Sequence, residues 1–399
     1  MATVVEQREV LGIVKHFQHL PETRSAVNRR HLLVDVVTIS VCGVLAGADG
    51  PVAIAEWATV HKQALRKFLK LPHGIPSHDV IGRVLESLCP QAFVKCFADW
   101  LEQLLTRSES AARNADEAAP SSLKTLRHLA VDGKTLRGSH ARGKGLGPLT
   151  LVSVWATEQG LSLGQLAVQE GSNETATVGP LLSMLDLTDS VVSSDAAGTQ
   201  KEIAAQIVGQ KGDYVLALKA NHPTLHAAVT AHVANHMEDD FARQPVSRHV
   251  EQTKGHGRIE TRTYYHFLAP PTLTGREDWT GLRTLGVAIR ECTERGATTC
   301  EVRYYLCSLK KNARQFAAIV RNHWRIENSL HWSLDVTFRE DALRTRARRT
   351  ATNLAWLRRI ALTLLKQHPG PPRQTIASKR RRAAWSFDYL LQVLTTQAS

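Results

Sequence analysis

Apolar positions recur at helical spacing through the first part of the chain and at strand spacing after it. HLLVDVVTISVCGVLAGADG is apolar with helical periodicity and stops at the breaker cluster Gly47-Ala48-Asp49-Gly50-Pro51. VAIAEWATVHKQALRKFLKL sets Ile54, Trp57, Leu65, Phe68 and Leu69 among basic residues. Beyond it, Ser77 or Asp79 can cap a further helix. VIGRVLESLCPQAFVKCFADWLEQLL predicts two more. Residues 1–105 are therefore expected to form an all-α N-terminal domain, either a helix-turn-helix DNA reader or a plain bundle. Residues 106–125, small and polar, read as a linker.

From residue 126 the period changes. TLRHLAVDG is a short apolar run ending at Asp132, and LTLVSVWATE and LSLGQLAVQE flank Gln159-Gly160 as a hairpin. A helix over TATVGPLLSMLDL, a buried strand SVVSSD ending at Asp195, a helix over KEIAAQIVGQ and a strand DYVLALKA follow, then a helix around LHAAVTAHVANHM. Three strands, helix, strand, helix, strand is the order of an RNase H-like α/β core with a mixed five-stranded sheet, its first part in residues 126–235. Residues 236–305 alternate apolar and polar positions, carry aromatics and read as a β-rich insertion. Residues 306–368 return to the core with one long helical stretch, and 369–399 form a basic C-terminal tail.

Composition sharpens this picture. With 399 residues, 43% hydrophobic and 22% charged, the chain is long enough for two or three domains with a substantial core. The formal net charge of +13 points to a polyanionic partner. Cys42, Cys89, Cys96, Cys292, Cys300 and Cys307 are scattered without a CxxC pair, which suits reduced thiols better than disulfides or zinc. The charged N-terminus has no signal-peptide pattern and no window is apolar enough for a membrane span. A cytoplasmic, nucleoid-associated protein is expected, with nucleic acid as its abundant anionic partner.

The stretch Arg321–Asp341 carries the candidate chemistry. Lacking Pro and Gly, it predicts a continuous helix on which His323, Glu327, His331 and Asp335 share one stripe. Ile326, Leu330, Leu334 and Val336 lie beside the stripe for burial, and Trp332 is expected in the core. An amphipathic helix with a solvated Glu327 is the plain alternative. Joint placement argues against it: Asp132 ends the first strand and Asp195 the fourth, strand ends point to one edge of the sheet, and a helix crossing that edge can bring Glu327 beside them. Three convergent carboxylates suit hard divalent cations, and two such ions support in-line phosphoryl transfer. His323 and His331 fit a phosphate contact or a helix face better than a metal. Lys134 and Arg137 follow Asp132 closely enough to touch a phosphate backbone, as do His256, Arg258 and Arg262 from the insertion. Trp324 is placed to stack on a base, and Arg321 and Arg325 to contact phosphate. The run after Asp341 is strongly basic, beginning with Arg344 and Arg346.

VDGKTLRGS, SDAAGTQKEIAAQIV, GDYVLALKANH, GHGRIETRTY and HWRIENSLHWSLDVTFRED, in that order, resemble the ISAs-one family of insertion-sequence transposases. That family includes the H-repeat-associated proteins and belongs to the DDE transposases of the IS-four type. The resemblance spans residues 25–366, with RRHLLVDVVTISVCGVLAGADG and GIPSHDVIGRV similar to the domain that accompanies the catalytic core. It implies cleavage of DNA at element ends and their transfer to a target, with Asp132, Asp195 and Glu327 as catalytic triad and metal ligands. It also implies Mg²⁺ at a two-metal site, Mn²⁺ able to substitute, double-stranded DNA as partner and a homodimer on DNA. The wider superfamily's Tyr, Arg and Lys around the Glu are replaced by Val320, His323 and Leu334, and Gly171 stands where a Lys precedes Ser-Asn-Glu. A catalytically silent DNA-binding descendant and a Mg²⁺-dependent nuclease without strand transfer are the alternatives.

Overall fold

The computed structural model describes residues 14–101 and 126–395, apart from Arg142, Lys144, Asp240, Arg243, His256 and Pro372. The expected linker at 106–125 lies outside the described residues.

The N-terminal helices are α1 (Leu33–Leu45), α2 (Pro51–Val60), α3 (His78–Ser87) and α4 (residues 90–101). Pro51 sits in the first turn of α2, where its missing N–H costs nothing, and Ser77 caps α3 by accepting from the Val80 amide at 3.4 Å.

Among the described residues the sheet has nine strands, five from residues 127–218 and four from the expected insertion. β1 (Arg127–Leu136), β2 (Leu149–Ala156) and β3 (Leu161–Ala167) form an antiparallel meander. After α5 (Glu174–Leu182), β4 (Ser190–Ser194) lies parallel to β1, and after α6 (Lys201–Gly209), β5 (Asp213–Leu218) lies parallel to β4. Helix α7 (Pro223–Met237) then leads into the four long antiparallel strands β6 (Val246–Gly255), β7 (Arg258–Leu268), β8 (Thr284–Glu294) and β9 (Ala297–Cys307). The spatial order is β3-β2-β1-β4-β5-β9-β8-β7-β6. The inserted strands thus extend the same sheet, because β9 pairs antiparallel with the edge of β5 from Val215–Cys307 to Leu218–Tyr304. Pairing covers the open edge that β5 would otherwise present.

Helix α8 (Ala313–His323) packs on this sheet with Phe316 and Ala317 fully buried. The expected continuous helix over 321–341 is broken into pieces. A π turn spans Glu327–His331, where the Trp332 amide bonds to the Glu327 carbonyl, and the short α9 (Trp332–Val336) follows. Arg339 then takes a left-handed φ of 52°. The long α10 (Arg348–Gln367) is buried almost throughout and joins the two halves of the chain. Asn353 donates to the carbonyls of Leu85 and Leu88 at 2.7 and 2.9 Å, and Gln165 of β3 donates to the Thr352 carbonyl at 2.9 Å. Helices α11 (Ile376–Trp385) and α12 (Phe387–Thr395) occupy most of the expected tail, so its basic residues are partly consumed in packing. Lys379 and Arg380 are buried, and Arg380 donates to the carbonyls of Val44 and Thr337 at 3.2 and 2.6 Å. No helix among the described residues is long and apolar enough to cross a membrane.

Candidate active site

Parallel pairing of β1 and β4 sets Val131 opposite Ser194, so the next residue of each chain, Asp132 and Asp195, emerges side by side. Asp132 lies within β1, not at its end, because pairing with β2 carries that strand on to Leu136. Asp195 ends β4 and caps the following 3₁₀ turn, its Oδ1 accepting from the Ala197 amide at 3.0 Å. The π turn swings Glu327 over the same edge. All three carboxylates line one cavity of about 320 Å³, shared with Lys219, Arg303, His323 and Trp324.

Electrostatics mark this as a place of unbalanced charge. Burial, then repulsion from Asp195 and Glu327, pushes the Asp132 carboxyl up to about 7, against a bond from the Gly133 amide at 2.9 Å. A fourth carboxylate, Glu174, presses from behind. A Cβ at Gly133 would come 2.5 Å from the Glu174 carboxylate carbon, so glycine is what leaves it room. Burial and Asp195 raise the proton affinity of Glu174 as well. His331 Nδ1 lies 3.6 Å from Asp132 Oδ2, and burial holds its ring neutral, lowering it to about 3. One ligand atom each from Asp132, Glu327 and His331 falls within 4.8 Å of the others. Oxygen donors beside a neutral imidazole, carrying uncompensated negative charge, fit a hard divalent cation.

The remaining expected contacts divide. Arg137 is exposed, its side chain at 85%, and Arg344 and Arg346 are exposed too. Lys134 is instead buried, its ammonium 2.7 Å from Asp335. Arg258 and Arg262 both lie against the buried Glu260, and Arg321 Nε is 3.6 Å from Glu251 Oε2. Arg325 donates to Asn322 Oδ1 at 3.3 Å, and the ring of Trp324 is covered by the Arg303 guanidinium, 4.2 Å from its centroid. His323 is engaged through Nδ1 with Ser193 Oγ at 2.8 Å, which also meets His128 Nε2 at 2.7 Å. His256 lies outside the described residues. Trp332, expected in the core, is 59% exposed, because the π turn rotates α9 relative to a continuous helix.

Three residues of the site escaped the sequence reading. Glu174 follows the cap Asn173, which accepts from the Ala176 amide at 3.1 Å, so alone it looks like an ordinary first-turn acid. Exposed Lys219 closes the GDYVLALKANH run at the end of β5 and lines the cavity. Lys366 reaches from α10 to donate to the Ser329 carbonyl inside the π turn at 2.9 Å. A Lys in the last turn of a helix carries no signal of that role in sequence.

A mixed α/β protein with a carboxylate-lined, cation-compatible cavity at the junction of two parallel strands is therefore the class at hand. The chain belongs to the Transposase DDE domain family, which matches residues 123–364, and the DDE_Tnp_1-associated domain matches residues 14–101. Relatives include "Putative transposase YncI" of Escherichia coli O157:H7, 32% identical over 97% of this chain and 95% of that one. "H repeat-associated putative transposase YhhI" of Escherichia coli strain K12 is 30% identical over 97% of this chain and 98% of its own length. A solved synaptic complex of the piggyBac transposase with hairpin DNA aligns over 96% of this chain and 77% of its own at a TM-score of 0.38 and 10% identity, too distant to argue from. The DDE domain implies use of a divalent metal ion.

Proposed function

We propose that this transposase is an ISAs-one-type enzyme with an RNase H-like core, using Asp132, Asp195 and Glu327 to cut DNA at element ends and join those ends to a target. The observation that carries this reading is the convergence of the three carboxylates on one cavity, where burial first and then repulsion from Asp195 and Glu327 lift Asp132 to about 7. Mg²⁺ held on these residues, with Mn²⁺ able to replace it, would activate the attacking oxygen and stabilise the leaving one. His331 orients the Asp132 carboxylate, and Glu174 adds negative charge from the opposite side. Lys219 and the exposed Arg344 and Arg346 remain available to phosphate, whereas Lys134, Arg137, Arg262 and Arg321 already face carboxylates, Arg137 doing so while its side chain stays 85% exposed. Double-stranded DNA is the partner, a homodimer the working form on paired ends, and the nucleoid the place of action.

The discriminating test supplies the full chain with a pre-cut duplex bearing an element end and a free 3′-hydroxyl, plus supercoiled target in Mg²⁺. Joined products that vanish in EDTA and in Glu327→Gln are expected. Target hydrolysis without joining would indicate a nuclease, and DNA binding without either product a silent descendant.

A further inference from the structure

The run VDGKTLRGS holds a second charged group on the same face of β1 as Asp132, because residues two apart in a strand point the same way. Lys134 is only 8% exposed. Its ammonium lies 2.7 Å from both carboxylate oxygens of Asp335, in α9, and 3.5 Å from Asp341 Oδ1. One step earlier on each element, Asp132 meets His331 at 3.6 Å. The two contacts form successive rungs, since two strand residues rise ~6.6 Å and four helical residues ~6 Å. Strand and helix therefore stay in step from 132 to 134 and from 331 to 335. Below the second rung the packing is equally close: a Cβ on Gly138 would come 2.6 and 2.7 Å from the carbonyls of Leu343 and Asp341. On the opposite side, Lys366 holds the Ser329 carbonyl.

We infer that Lys134 is a positioning residue: paired with Asp335, it fixes the register of the Glu327-bearing turn against the strand that carries Asp132. The functional part of this inference rests on Glu327 being catalytic. A one-residue slip of the turn would carry Glu327 about 100° around its axis and out of the cavity. The π turn makes such a slip accessible, because it already holds one residue more than an α turn. The Lys134–Asp335 rung lies just beyond that turn and opposes the slip. The same buried ammonium is withdrawn from DNA.

The test replaces both partners, Lys134→Met with Asp335→Leu, since removing the closest ion pair as a pair leaves neither of its charges unpaired, and Asp341 keeps Arg137 at 3.6 Å. The melting temperature is expected to stay close to wild type. Amide exchange across 327–336 should accelerate about tenfold in the DNA-free protein, and the Mg²⁺ concentration for half-maximal cleavage should rise about tenfold at unchanged DNA affinity. If the double variant fails to fold, Lys134→Gln with Asp335→Asn, which keeps volume and a hydrogen bond, is measured in the same way. Unchanged exchange and Mg²⁺ requirement in a folded variant would overturn the inference, as would a loss confined to DNA affinity. Should the wild-type chain not cut DNA at all, the exchange comparison still decides the clamp, and the missing cleavage counts against the catalytic reading of Glu327 instead.

Discussion

Among the described residues, the buried charges around α10 and those at the carboxylate cavity are built on opposite rules. Around α10, Arg359 and Glu340 are both 0% exposed and meet at 2.8 Å, while Arg358 donates to the Asp49 carbonyl at 2.8 Å. Each cation there faces a carboxylate or a carbonyl, and the Arg358 contact ties the C-terminal half to the N-terminal helices. Where β1 passes the end of β4 the signs are alike: Asp132, Asp195, Glu327 and Glu174 crowd together, and the structure supplies a neutral His331 beside Asp132 where a cation would have relieved them. A fold that buries opposite charges in pairs lets each offset the other's loss of water. One that gathers like charges spends stability on a site that something else must complete.

The largest effect should come from breaking the like-charge cluster. Glu327→Gln is expected to reduce DNA cleavage by roughly three orders of magnitude or more, with a melting temperature equal to or above wild type because a repelling charge is gone. Arg359→Met attacks the balanced cluster and should do the reverse. It leaves Glu340 buried and alone, at a cost of about 3–5 kcal/mol in denaturant unfolding, and adding Glu340→Leu should recover most of the loss. Smaller, but specific in sign, is a pH effect on the metal-free protein. The folded state holds a proton on Asp132 up to about 7, whereas an unfolded aspartate releases it near ~3.9. Stability from this group is therefore full below about pH 4 and is lost as pH rises through about 7. Asp132→Asn should flatten the dependence of melting temperature on pH across that window in EDTA. The smallest effects belong to exposed cations outside both clusters. Arg344→Ala and Arg346→Ala should each weaken DNA binding evenly across sequences and reduce the salt slope by about one, with no change in stability.

Much of the frame was legible because it is written locally. The β2–β3 hairpin shows in its alternation around Gln159-Gly160, and Gly160 indeed takes a left-handed φ of 70°. The Ser77 cap, the buried run of β4 and the two acidic positions in β1 and after β4 follow from period and punctuation alone. What sequence concealed depends on contacts between distant segments. That β9 pairs with β5 is decided by register across the insertion, not by either strand's composition. The π turn is contacted from α10, where Lys366 donates to the Ser329 carbonyl, and nothing local marks it, so a stretch free of Pro and Gly read as an unbroken helix. Lys134 looked like a phosphate contact because its neighbour is Asp132; only the fold brings Asp335 to it from two hundred residues away. The run after Asp341 likewise reads only as strongly basic, and composition does not show that Arg358, Arg359, Lys379 and Arg380 are interior.

The measurement that decides most is cleavage of a labelled duplex carrying an element boundary by wild type, Asp132→Asn and Glu327→Gln, each with Mg²⁺ and with EDTA. The like-charge cluster as catalytic centre requires cuts at the boundary by wild type in Mg²⁺ alone, and none by either variant even though both still fold and bind the duplex. Cutting at near wild-type rate by either variant, or cutting that survives EDTA, would contradict it.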